Sequence, residues 1–329
     1  MAAGHVERAL DSLQNAGLEV TIFDGVEENP TTLHVDAGVK VARNHSIDFL
    51  VGLGGGSAMD CAKGINFILT NGGVMADYWG LNKATKLMLP MIAVPTTAGT
   101  GSEAQSFALI CDPITHRKMA CGDVKAACRA AVLDPDLTRT CPPSVAAAAG
   151  VDAIAHAVET AGTLKRNEVS LEMSRQAWSR LDSAFGEAMR NPGNDEARAG
   201  MLLGAHLAGA AIEQSMLGAA HACANPLTAR LGITHGIAVG VMLPHVVRFN
   251  CADGDNPYAT LSDNPGTLAQ RIETMLAVGG LSRCLADCGV PEAILPELAI
   301  EAASQWTAAF NPRPVGAGEL LEIYRMAYR

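Results

Sequence analysis

Asp152 and His156 stand four residues apart in the proline-free run Gly150-Val151-Asp152-Ala153-Ile154-Ala155-His156-Ala157-Val158-Glu159-Thr160. On a helix such a pair lies one turn apart and differs by about 40° in azimuth, so a carboxylate oxygen and an imidazole nitrogen can reach one point. His221 follows in Gly218-Ala219-Ala220-His221-Ala222-Cys223, and His235 in Thr234-His235-Gly236. Two histidines from separate segments would complete a set of three nitrogens and one oxygen for a divalent transition metal. A polar pair on one helix face is the competing reading of Asp152 and His156 alone. The surrounding segments are apolar and rich in small residues, which predicts burial. Buried polar groups need partners, and a metal can supply one.

These residues need elements to hold them. The spacing predicts a helix over 3–16, a strand over 19–24, a helix over 31–44, a strand over 47–53 and a helix from Ser57 to Leu69. Met91 to Pro95 reads as a further buried strand, Ser106 to Cys111 and Lys118 to Cys121 as a hairpin, and Ala130 to Leu133 as the last strand. Strands alternating with helices predict an α/β domain with a parallel sheet covered on both faces. From Pro143 onward the apolar period is helical throughout. Helices are predicted over 144–161, 167–190, 195–216, 218–224, 235–250, 265–287, 291–308 and 317–328, with breaks at Asn191-Pro192-Gly193-Asn194, Asn225-Pro226 and Asn311-Pro312. The expected organisation is therefore an α/β domain over 1–141 and an all-helical domain over 142–329.

Two segments of the first domain could bind a phosphorylated ligand. Gly54-Gly55-Gly56-Ser57 lies where a strand turns into a helix, and backbone N–H groups at such a helix start bind anions. A plain tight turn is the alternative. The glycines do not match the G-x-G-x-x-G fingerprint, whose third glycine would fall at Met59. The loop from Thr96 to Glu103 carries Thr96, Thr97, Thr100 and Ser102, a set of hydroxyls suited to ribose, phosphate or amide, or to a polar turn.

The composition excludes several classes. The 329 residues carry a net charge of −10 without a basic patch, which argues against a nucleic-acid partner. No apolar run is long enough to span a bilayer, and no leader-like segment follows Met1. Nine cysteines, an odd number without a Cys-x-x-Cys, suit reduced thiols and a cytoplasmic setting.

The chain resembles the iron-containing (group III) alcohol dehydrogenases. The resemblance is carried by Gly54-Gly55-Gly56-Ser57, by Pro95-Thr96-Thr97-Ala98-Gly99-Thr100-Gly101-Ser102-Glu103, by Leu133-Asp134-Pro135, by Asp152-Ala153-x₂-His156-Ala157-x-Glu159, and by His221 through Leu243-Pro244-His245. It implies a Rossmann-like nucleotide domain followed by a helical metal-binding domain. It implies Fe²⁺, with Zn²⁺ also suited to the donor set, held by Asp152, His156, His221 and His235. It implies NAD(H) or NADP(H), with Gly54, Gly55, Gly56 and Ser57 at the pyrophosphate, Thr96, Thr97 and Ser102 on the cofactor, and Asp60 and Lys118 near the nicotinamide side. The implied reaction is hydride exchange with a small alcohol, aldehyde or ketone in the cleft between the domains, by a homodimer or higher homo-oligomer. The rivals are a dehydroquinate-synthase-like or glycerol-dehydrogenase-like enzyme of the same fold, and a non-catalytic nucleotide-binding assembly protein. His245 is expected to be structural.

Two positions depart from the family. Asn225 stands where many members carry a further histidine, and an amide cannot exchange a proton near neutrality. The chain also opens inside a helix, about one β–α step after the family's start, without the first central strand or its ribose-binding acid. The expectation is that Met1 is not the natural start, or that cofactor binding is weakened in this form.

Overall fold

The computed structural model describes residues 3–115 and 117–329; Met1, on which the expectation about the natural start bears, lies outside them, as does His116. The chain divides into two compact units, residues 1–97 with 102–140 and residues 98–101 with 141–329.

The first unit opens with helix α1 (His5–Asn15) and continues with α2 (Thr32–Arg43). Thr31 starts α2 with a capping box: its backbone N–H donates to Nδ1 of His34 at 2.9 Å. Val35, Val39 and Ala42 form the buried stripe of that helix, at the spacing of successive turns. Strand β1 (Leu50–Gly54) leads into α3 (Gly56–Asn71), then come the short β2 (Gly80–Leu81), β3 (Met91–Pro95), β4 (Phe107–Cys111), β5 (Lys118–Gly122) and β6 (Ala130–Ala131). β1, β3 and β6 form a parallel sheet in that order, with Leu50 opposite Met91 and Ile92 opposite Ala130. The β4–β5 hairpin joins β2 in a second sheet, with Phe107 opposite Gly122. A parallel sheet with crossover helices is the α/β architecture predicted.

The predicted strand over 19–24 does not form. The segment has no regular secondary structure; Phe23 packs against the core that holds Val35 and Ile65, but none of the described residues offers it a ladder. A strand exists only through its partner's hydrogen bonds. Local residue preference alone therefore overstated it.

The second unit is helical: α4 (Pro143–Gly162), α5 (Glu168–Arg190), α6 (Asp195–Gln214), α7 (Ala219–Leu231), α8 (His235–Asn250), α9 (Pro265–Val278), α10 (Leu295–Ala303) and α11 (Ala317–Met326). α4 is apolar nearly all round and is surrounded by α5, α6 and α8, as an unstriped helix must be. Three predicted boundaries move. α7 runs through Asn225-Pro226 and closes only at Gly232, whose φ of 67° suits a glycine terminator. Pro226 removes one N–H from the ladder, and burial of α7 outweighs that loss. α9 stops at Val278, well short of residue 287. Gly280 turns left-handed, and Leu281 N–H donates back to the Leu276 carbonyl at 2.9 Å, a Schellman closure. The helix expected over 291–308 is three pieces, α10 between two short 3₁₀ turns.

Candidate metal centre and dinucleotide residues

α4 presents Asp152, His156 and Glu159 along one buried face, each at most 5% exposed. α7 begins at Ala219, so His221 sits in its first turn, and His235 is the first residue of α8. Ligand atoms of Asp152, His156 and His221 lie within 4.8 Å of one another. Asp152 Oδ1 is 3.5 Å from Nε2 of both His156 and His221, and 3.9 Å from Nε2 of His235. The rings of His156 and His221 stack at 4.9 Å, and that of His235 stands 5.4 Å from His221. His235 is the most exposed of the four, with 29% of its side chain accessible. Its Nδ1 lies 3.4 Å from the Thr228 hydroxyl. His245 is no part of the group; burial, helped by Arg248, pulls its pKa down to about 4.

The electrostatics favour a cation at the convergence point. Burial alone would raise the Asp152 carboxyl, but the three imidazoles around it hold it well below the usual carboxylate range. Burial depresses His156. Among the described residues, Asp152 Oδ1 and His221 Nε2 are buried, stand 3.5 Å apart and make no hydrogen bond. Orphaned buried polar atoms are costly, and these two point at one place with nitrogen and oxygen donors. The residues therefore fit a divalent transition metal.

Glu159 closes the same sequence motif, and its spacing alone gives it no role. Its Oε2 lies 2.5 Å from His221 Nδ1, and its Oε1 accepts the backbone N–H of Ala220 at 2.7 Å. It thus caps the positive start of α7 and leaves Nε2 as the free nitrogen of His221. A signal was available: Glu159 is seven residues after Asp152 and three after His156, on the same face. Asn225, one turn after His221, donates to Gln305 Oε1 at 3.1 Å.

In the first unit the C-terminal ends of β1 and β3 gather most of the residues expected to contact a dinucleotide. Thr96 N–H donates to the Gly54 carbonyl at 2.9 Å, and a Cβ on Gly55 would lie 3.4 Å from Thr97 Oγ1. Gly54 has φ 146°, and a Cβ there would come within 2.7 Å of Ala58. A side chain would block this turn. α3 starts without a side-chain cap, which leaves backbone donors at its first turn. Ser57 Oγ accepts from Asn29 N–H at 3.3 Å. One turn into α3, Asp60 accepts from the Ser102 hydroxyl at 2.6 Å. Burial raises its pKa, against the pull of Lys63, Ser102 and Lys118. Lys118 itself is exposed at the start of β5. Lys63, which no sequence motif marks, is fully buried beside Ser102.

One unit has a parallel sheet with a glycine turn at a strand end, and the other has a buried carboxylate and imidazole group that fits a metal; both are features of a metal-dependent oxidoreductase. The chain belongs to the iron-containing alcohol dehydrogenase family: residues 1–135 match the family's iron-containing alcohol dehydrogenase model and residues 146–328 its C-terminal model. It is accordingly an oxidoreductase of the alcohol dehydrogenase type. Alcohol dehydrogenase 4 of Schizosaccharomyces pombe is 35% identical over 96% of this chain and 77% of its own length. The 1,3-propanediol dehydrogenase of Citrobacter freundii is 33% identical over 99% of this chain and 87% of its own. Among solved structures, 1,3-propanediol oxidoreductase superposes with a TM-score of 0.93 at 32% identity, covering 99% of this chain and 88% of that one. Sulfoacetaldehyde reductase from Bifidobacterium kashiwanohense, solved with NAD⁺, gives 0.89 at 27%, over 99% and 88%. No helix of the described residues is long and apolar enough to cross a membrane.

Proposed function

We propose that this enzyme exchanges a hydride between NAD(H) and a short-chain primary alcohol or its aldehyde, with one divalent ion, Fe²⁺ or Zn²⁺, held by Asp152, His156, His221 and His235. The observation that carries the reading is the buried convergence of Asp152, His156 and His221 with two orphaned donor atoms. When bound, such an ion supplies a Lewis acid that lowers the pKa of an alcohol oxygen and polarises a carbonyl. Glu159 keeps His221 in one tautomer, with Nε2 turned toward Asp152. The uncapped start of α3 and the Gly54–Ser57 turn receive the pyrophosphate, and Thr96, Thr97, Ser102, Asp60 and Lys118 position the rest of the dinucleotide. Relatives named for 1,3-propanediol and lactaldehyde support a small, oxygenated substrate. A relative named as NAD-dependent, and a neighbour solved with NAD⁺, support NAD over NADP. A homo-oligomer in the cytoplasm completes the reading, the free cysteines supporting the compartment.

The test is metal analysis of the purified protein, then NADH and NADPH oxidation with short aldehydes after loading Fe²⁺ or Zn²⁺. We expect one ion per chain, with turnover that depends on it and favours NADH. Full turnover in the metal-free protein would refute the reading.

A further inference from the structure

α3 carries two charged residues, Asp60 and Lys63, three apart on one face of an otherwise uncharged helix. Lys63 is fully buried. Its Nζ donates to the Ser102 carbonyl at 2.6 Å, to the Ser102 hydroxyl at 2.9 Å and to the Phe107 carbonyl at 2.9 Å. Three acceptors for three N–H bonds satisfy an ammonium group in full. The Ser102 hydroxyl has a single proton. Because its oxygen accepts from Lys63, that proton goes to Asp60, 2.6 Å away. The result is a directed chain, Lys63 to Ser102 to Asp60, which ties the first turns of α3 to the loop after β3.

A buried lysine is a costly way to fill that space. An apolar side chain of similar volume is often as stable or more so. The charge acts instead on the geometry of its neighbours. The two neighbours it controls, Ser102 and Asp60, are residues read above as dinucleotide contacts. We propose that Lys63 is a positioning residue of the dinucleotide site: it commits the Ser102 proton to Asp60 and so holds both groups in the arrangement that receives the cofactor. This inference rests on the reading of Asp60 and Ser102 as cofactor residues.

The proposal has a signature that mere stabilisation lacks. Lys63 and the Ser102 hydroxyl both lower the pKa of Asp60 against burial, so removing either makes the neutral carboxyl more favourable. The acidic limb of cofactor binding must then move to higher pH. Other groups face Asp60 or Lys63: Cys61 on α3, Cys111 on β4, Lys118 on β5, Cys128, and Glu103 beside Ser102. Burial pushes the three thiols up, Cys61 to about 12, so they stay neutral through the acid range. Glu103 is the other carboxyl, and Glu103→Gln identifies any limb that belongs to it.

The experiment is NADH titration by fluorescence across the acid-to-neutral range, on the full chain loaded with metal. The variants are Lys63→Met, Ser102→Ala, Asp60→Asn and Lys63→Met with Asp60→Asn. Melting and metal content report on the fold of each. Loss of a charge-assisted contact predicts about tenfold weaker NADH binding near neutrality for Lys63→Met, with its acidic limb shifted upward. In the Asp60→Asn background the same change should have little further effect, because the coupling runs through Asp60. Ser102→Ala breaks the chain without removing a charge and should show the same upward shift, which decides the matter if Lys63→Met fails to fold. Parent-like affinity and pH dependence in Ser102→Ala overturn the proposal, as does an equal loss from Lys63→Met in both backgrounds. A parent that binds no NADH at any pH refutes the cofactor reading itself and the proposal with it.

Discussion

Glu159 and His235 illustrate how two groups at the proposed metal site differ in what they contribute. Glu159 is buried against His221 and the start of α7, and it does not itself reach the convergence point. Removing such an orienting carboxylate commonly costs about 10–100-fold in metal affinity. We expect Glu159→Ala to weaken metal binding by that order. Glu159→Gln, whose amide oxygen can still accept from Nδ1–H, should lose less. Competition with a chelator of known affinity measures both, and equal affinities in parent and Glu159→Ala would remove Glu159 from this role. His235 is different. It is partly exposed at a helix start, so cutting it to alanine leaves little cavity. We expect His235→Ala to lose most bound metal and activity while its circular dichroism stays that of the parent. Metal content equal to the parent would remove His235 from the ligand set.

At the scale of elements, close backbone approach matters more than side-chain identity. A Cβ on Gly209 of α6 would lie 2.5 Å from the carbonyl oxygen of Gly101 and 2.7 Å from its Cα. Both obstacles are backbone, so neither can swing aside. Gly209→Ala should therefore destabilise the helical unit by about 1–3 kcal/mol, the usual cost of overpacking. The helix-propensity gain of alanine over glycine, up to about 1 kcal/mol, works in the opposite direction. A denaturation midpoint at or above the parent's would show that α6 and the Ala98–Gly101 segment can separate freely. The same crowding constrains the loop after β3, where Gly101, at φ 62°, must also be left-handed.

For the molecule as a whole, acid sensitivity has an identifiable source outside the metal group. Burial, with Arg248 nearby, pulls the pKa of His245 down to about 4, whereas an unfolded histidine titrates near about 6.5. Below that value the unfolded chain takes up a proton that the folded chain refuses. The stability is complete above the unfolded pKa and declines as pH falls toward the folded one, by roughly 3 kcal/mol in all. We expect His245→Asn to flatten that part of the stability profile. Urea unfolding followed by far-ultraviolet circular dichroism, which the helical unit dominates, measures it. A slope between these two pKa values identical to the parent's would assign the acid sensitivity elsewhere.

The four-residue spacing of Asp152 and His156, the glycine turn after β1 and the switch from alternating to helical period near Pro143 were all readable from the chain. Each is a local property: helix pitch, strand pleat and backbone freedom act over a few residues. That is why α4, α5, α6 and α8 lie close to their predicted bounds. Long-range partners were not readable. Residues 19–24 read as a strand, but strand formation depends on a neighbour, and none of the described residues provides one. Asn225-Pro226 looked like a break, yet burial carried α7 through it. Glu159 and Lys63 had ordinary sequence surroundings. Only packing set Glu159 against His221, 62 positions away, and Lys63 against Ser102, 39 positions away. A buried charge takes its meaning from the groups that satisfy it, and tertiary structure alone decides which groups those are.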